Sequence, residues 1–223
     1  EGYATLVSIT MFFCKKIVPF SLWCSSPIRT VFLLSFVSSL PLILVGSTLQ
    51  AWYAASGVSL LTIGMLTLVG QPYVYKFLWA PCMDRFAPLG LDRRRGWMIL
   101  TQFGLVGGLI LMGLLSPSRD PFLLASIALG VAFISASQDI AVDAYRVDVL
   151  TIQTRSVGAA VTQLAGRMAI LVAGACALLL AASVGWRMTY FTMAAVIALG
   201  IYVSYGAPQP HECAALPASR IPR

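Results

Sequence analysis

Long uncharged apolar stretches alternate with short charged or turn-rich pieces along most of this chain. A helix that crosses a bilayer needs about 20 apolar residues. Thr30 to Tyr75 holds no charge in 46 residues, and Ser56-Gly57-Val58-Ser59 interrupts it with turn-forming residues. Two spans are therefore expected, 30–52 and 59–80. Gly96 to Ser118 is the next uncharged run, closed by Ser116-Pro117-Ser118-Arg119-Asp120-Pro121, and gives a span over 97–116. A fourth span is expected over 121–142, then a charged connector from Asp143 to Arg155. A fifth is expected over 156–184 and a sixth over 186–205. The pattern predicts an all-α membrane protein: an N-terminal segment at 1–28, six transmembrane helices within 29–206, and a tail at 207–223.

Composition supports that reading. Hydrophobic residues are 59%, charged residues 10%, and the mean hydropathy is +0.86. Soluble domains carry about 25% charge, so this chain lacks the polar residues to cover a soluble surface. The same shortage argues against a disordered chain and a nucleic-acid binder. The net charge of +7 follows from orientation. Twelve of the 15 basic residues fall on one side of the six spans, two (Arg119 and Arg187) on the other, and Arg167 lies inside a span. The positive-inside rule then makes both termini and both charged connectors cytoplasmic. Trp52, Trp79, Trp97 and Trp186 stand at span ends, as an interfacial belt requires.

Cysteine and histidine chemistry is sparse. The five cysteines never fall in a C-x-x-C spacing, and His211 is the one histidine. No metal or cofactor is expected. No H-E-x-x-H or G-x-S-x-G motif is present, so the chain is not expected to be an enzyme. The run Tyr3–Cys14 precedes Lys15-Lys16 and makes a poor signal peptide.

A few polar residues inside the spans call for explanation. Arg167 lies about 16 Å from the cytoplasmic edge of the fifth span at 1.5 Å per residue. A charge at that depth costs at least about 2.5–3.5 kcal/mol without a cavity or partner. It either contacts an anionic or sugar-peptide solute in a watery path, with Gln163 one turn earlier, or pairs with a carboxylate on a neighbouring helix. Gln71, beside Pro72 in the second span, bonds either another helix or sugar hydroxyls; Gln102 in the third has the same two readings. Asp139, Asp143 and Arg146 share a face if the fourth helix continues, with Gln138 beside them. Asp139, about 27 Å along that helix, reads as a proton-coupling or gating carboxylate, and otherwise as part of a solvated helix end. Asp143 and Arg146 also fit an i,i+3 surface pair. Asp84, Arg85, Arg93, Arg94 and Arg95 bound the connector between the second and third spans. They pin topology, or act as a latch that pairs in one conformation and releases in another. Gly104-x-x-x-Gly108 is a close-packing spacing, either a sliding interface or ordinary packing. Pro41 and Pro72 should each kink a helix.

Four segments carry a resemblance. They are Leu40–Trp52 (LPLILVGSTLQAW), Val69–Arg85 (VGQPYVYKFLWAPCMDR), Arg93–Trp97 (RRRGW) and Ser135–Leu150 (SASQDIAVDAYRVDVL). The last, with its Ser-Gln-Asp-Ile-Ala and Asp-Ala-Tyr-Arg elements, is the most specific. Together they resemble the AmpG-type muropeptide permeases of the major facilitator superfamily. The resemblance implies a multi-pass protein of the bacterial inner membrane that imports anhydromuropeptides with protons, serves cell-wall recycling and thereby affects β-lactamase induction. It places Asp139, Asp143 and Arg146 in the fourth-helix motif, and Asp84, Arg85 and Arg93–Arg95 in a conformational connector. Eukaryotic acetyl-coenzyme A transporters resemble the same family, so such a substrate is the alternative. Members have two six-helix halves, with the substrate between them. Six spans match the N-terminal half. The expected product is then a truncated or split transporter, needing a second half or a homodimer. A non-transporting membrane remnant is the rival expectation.

Overall fold

A computed structural model describes residues 26–86, 88 and 92–208. Residues 1–25, and the tail from 209 with His211, lie outside the described residues. The described residues are helical, with no strand among them. In chain order the α-helices are α1 (Ser26–Ile43), α2 (Leu49–Ala55), α3 (Leu60–Met65), α4 (Gln71–Tyr75), α5 (Ala80–Arg85), α6 (Arg93–Leu114), α7 (Pro121–Val149), α8 (Arg155–Ile170), α9 (Ala177–Val184) and α10 (Trp186–Tyr205). Among the described residues, five helical units are long and apolar enough to cross a membrane: Pro27–Ala55, Arg93–Leu114, Pro121–Val149, Arg155–Val184 and Trp186–Tyr205.

The segment expected as the second span, 59–80, is not one helix. It is α3, a 3-10 stretch Leu66–Gly70, α4, a 3-10 turn Lys76–Leu78, and then α5. Proline explains two of the breaks. Pro72 and Pro81 sit in the first turns of α4 and α5, where their missing N–H groups are tolerated and a continuous ladder is not. The broken rod still runs the length of the bundle. Val58 N–H donates to the Tyr53 carbonyl at one end (3.2 Å), and Asp84 joins the ion pairs at the other. Its outer face is apolar and exposed, with Leu60, Leu68, Val74, Phe77 and Leu78 all exposed. The fourth expected span, 121–142, also differs: α7 continues to Val149, because Val142, Tyr145 and Val149 extend its buried stripe.

Two helices contain π turns, Leu44–Thr48 and Leu171–Cys176, and the two turns meet. A π turn leaves a carbonyl without its usual partner, and the hydrocarbon around a spanning helix offers it none. Hydroxyls do so here. Thr48 Oγ1 donates to the Ala173 carbonyl (2.6 Å), and Tyr190 OH to the Leu44 carbonyl (3.1 Å). The chain bends at Gly46, whose ψ of −109° leaves the helical region, rather than at Pro41 within α1.

Helix α1 packs on α7 and α8, and α6 on α7 and α10. A side chain at Gly104 would press on Ile134, and one at Gly108 on Val131, so the glycine pair seats α6 on α7. At one end of the bundle Trp52 stacks on Trp186 (5.7 Å between centroids), and Tyr53 OH donates to the Pro121 carbonyl (2.5 Å). The charged connector lies at the other end.

Gly185 links α9 to α10 with φ 88° and ψ 160°. Nothing blocks a Cβ there, so the requirement is conformational alone. Gly185→Ala is expected to lower stability by about 1–3 kcal/mol, the cost of a strained backbone. Gly64, equally uncrowded but within α3, should accept alanine with no drop in melting temperature. Equal melting temperatures for the two variants would disprove the requirement.

Candidate functional site

Polar residues gather where α7, α1 and the broken rod meet. The stretch Ser135-Ala136-Ser137-Gln138-Asp139 lies within a long apolar helix, so its small side chains leave room for neighbours to reach across. Ser38 Oγ on α1 donates to Asp139 Oδ1 at 2.5 Å. Lys76 Nζ, from the 3-10 turn, is 3.8 Å from Asp139 Oδ2 and 4.0 Å from Asp143 Oδ2. These separations allow attraction but exceed a direct hydrogen bond. Arg146 Nη2 reaches Asp143 Oδ1 at 3.2 Å. Two carboxylates and two cations thus form one neutral row from inside the bundle to its end. Trp79 holds the rod to α7: its indole N–H donates to Ser137 Oγ (3.1 Å), and its ring packs on Phe133 (4.6 Å between centroids).

A second network joins the connector to other helix ends. Arg94 forks between two carboxylates, with Nη1 2.6 Å from Asp84 Oδ1 and Nε 3.0 Å from Asp148 Oδ2. Arg93 donates to the Asp84 carbonyl (2.8 Å). Arg95 donates to the Ala207 carbonyl, and Tyr145 OH to the Pro208 carbonyl (2.9 Å), so the exit of α10 is clasped by α6 and α7. Trp97 donates its indole N–H to the Met83 and Phe86 carbonyls (3.0 and 2.9 Å). Arg85 is exposed and makes no ion pair among the described residues.

The expected site residues divide accordingly. Asp139, Asp143 and Arg146 come together, and so do Asp84, Arg93 and Arg94. Arg167, Gln163 and Gln71 do not join them. All three are exposed. Helix α8 turns Val161, Ala165 and Ala169 inward and Arg167 outward, and Arg167 meets no carboxylate among the described residues. Gln102 is fully buried and accepts from Ser204 on α10 (2.9 Å), so this amide bonds another helix.

Sequence reasoning missed Lys76, Ser38 and Asp148 as members of these networks. Lys76 had a visible signal, a lone cation between Tyr75 and Phe77. Asp148 had a weaker one, as the third acid of its segment. Ser38 had none, because only the docking of α1 on α7 aims it at Asp139. Among the described residues no group of histidine, cysteine and carboxylate side chains could hold a metal.

Comparison with known proteins gives several matches. A family model described as Acetyl-coenzyme A transporter 1 matches residues 30–123. An anhydromuropeptide permease of Escherichia coli is 44% identical over 186 residues, which is 83% of this chain and 38% of the permease. A putative transporter AmpG 4 of Rickettsia felis is 32% identical over 174 residues, covering 76% of this chain and 42% of that protein. An uncharacterized protein of Haemophilus influenzae is 38% identical over 169 residues, covering 76% of this chain and 40% of that protein. The chain thus spans roughly two fifths of the length of these curated relatives.

Proposed function

The chain is related over 83% of its length to an anhydromuropeptide permease and shares that kinship with AmpG-type transporters, and from this premise we propose that it supplies half of a proton-driven muropeptide importer. The observation that carries the reading is the 44% identity to a protein named for that solute. The acetyl-coenzyme A description matches a shorter part of the chain, so that substrate is the weaker alternative. The proposed setting is the bacterial inner membrane, with the connector end of the bundle cytoplasmic, where the basic residues would belong. The proposed partner is a second six-helix unit, from another chain or a second copy. Its role would be to complete the solute path.

We assign residue roles with placement as their support. Asp139 takes the proton-coupling role, since it is the carboxylate held inside the bundle, on Ser38 and facing Lys76. Asp143 and Arg146 carry that row to the end of α7. Arg167, Gln163 and Gln71 line the solute path from exposed faces, where they can meet a solute without a helix moving aside. The Asp84–Arg94–Asp148 network holds the connector in one of two conformations.

The test is uptake of labelled anhydromuropeptide into cells that lack their own permease. The chain should support uptake when six further helices are supplied, and a protonophore should abolish it. No uptake with all helices present in the membrane would sink the proposal. In the same assay Arg167→Ala should cut uptake at least tenfold with no change in membrane level or melting temperature, because nothing among the described residues leans on its guanidinium. Normal uptake would remove Arg167 from the path.

A further inference from the structure

We propose that Tyr73, Ser135 and Gln138 form a binding site for internal water beside Asp139. The ground is a concentration of buried polar atoms with no protein partner. Gln138 is fully buried, and neither its Nε2 nor its Oε1 has a hydrogen bond. Ser135 is fully buried with Oγ unbonded, and the Tyr73 hydroxyl is buried and unbonded as well. Native proteins pair the large majority of such atoms, with protein or with ordered water, and apolar surroundings make an unpaired one costly. The other two such atoms belong to residues already bonded elsewhere: Gln102 accepts from Ser204, and Arg95 donates to the Ala207 carbonyl. Gln138 has neither kind of partner.

Ser135 adjoins each of the other two. Ser135 and Gln138 are three residues apart on α7 and both face inward. The Tyr73 hydroxyl lies beside Ser135, without a well-formed bond between them, and within electrostatic reach of Asp139. Water suits this set. It can donate to the Gln138 carbonyl, and accept from the Gln138 amide or from the Ser135 or Tyr73 hydroxyl. Buried waters make about three such bonds each. A metal cation suits it poorly, because the Lys76 ammonium already stands 3.8 Å from Asp139. The site does not depend on Asp139 titrating, nor on the solute assigned above.

The experiment is brief X-ray radiolysis of the full chain in lipid nanodiscs, in heavy-oxygen water, read by mass spectrometry. Radicals formed from a bound water attack the side chain that holds it. Tyr73 should be modified, and Tyr190, which is fully buried and bonded to the Leu44 carbonyl, is the reference that stays unchanged between variants. Gln138→Leu should lower Tyr73 modification several-fold and lower the melting temperature. Should that variant fail to fold, Ser135→Ala gives the same reading with a smaller change. Unchanged Tyr73 modification in the folded variants would overturn the site. So would a melting temperature that rises in Gln138→Leu, since an unbonded dry amide is relieved by an apolar side chain of similar volume.

Discussion

In the importer proposed above, with its second half supplied, Asp139→Asn is expected to abolish proton-driven accumulation of solute while leaving the chain folded in the membrane. Asparagine keeps the shape and still accepts from Ser38 Oγ, which stands 2.5 Å from Asp139 Oδ1. It cannot take up and release a proton near neutral pH, and its attraction for Lys76 is far weaker. Steady-state accumulation should fall at least tenfold, and solute exchange across equal gradients should survive. Accumulation equal to that of the unaltered protein would end the coupling role. Lys76→Met tests the other side of the pair. It leaves Asp139 and Asp143 without the cation between them, so their mutual repulsion rises. The Lys76→Met/Asp139→Asn pair should be more stable than the sum of the single losses. Contacting residues commonly show coupling of about 0.5–3 kcal/mol. Strict additivity in melting experiments would show that the 3.8 Å approach carries no energy.

Arg94→Ala should release the connector. One guanidinium ties Asp84 at the end of the broken rod, Asp148 at the end of α7, and α6 itself. Hydrogen bonds to charged groups contribute about 1.5–3 kcal/mol each in favourable settings. The carboxylates here are half exposed, 52% for Asp84 and 37% for Asp148, so the combined loss is expected nearer about 1–2 kcal/mol. Arg94→Lys should not restore it, because a single ammonium cannot fork between two carboxylates held by different helices. Limited proteolysis would report the release as faster cleavage between residues 86 and 92. Cleavage at the original rate, with an unchanged melting temperature, would show that Trp97 and Arg93 suffice to hold the connector.

Much of the architecture was legible from hydropathy, because a bilayer selects on length and apolarity and both are local. The long helices from α6 onward fall close to their expected places, except that α7 runs on to Val149. The second expected span was not legible as a broken rod. It is as apolar as its neighbours, and proline inside a membrane helix permits either a kink or a break, decided by what packs beside it. The rod is bordered mainly by α7, which offers Ser137 to Trp79 and two carboxylates to Lys76. The Asp139–Asp143–Arg146 face was legible because i, i+4 and i+7 spacing fixes a face once the helix continues. Arg167 was legible as a charge in an apolar span but not as an exposed one, since exposure depends on which side of α8 meets α1.

The sequence by itself determined that this is an all-helical membrane chain, that charge collects at one end of its helices, and that its relatives are transporters. Periodicity and composition suffice for the helices and the charge, because they act residue by residue along each helix; the likeness to transporters rests on the matched segments instead. Only the tertiary structure decided which polar groups meet: Ser38 with Asp139, Lys76 with two acids, Arg94 with Asp148, and Gln138 with none among the described residues. Those partnerships join positions far apart in the chain. They depend on the rotation and depth of one helix against another, which packing at glycines, π turns and the aromatic cluster at the far end of the bundle sets.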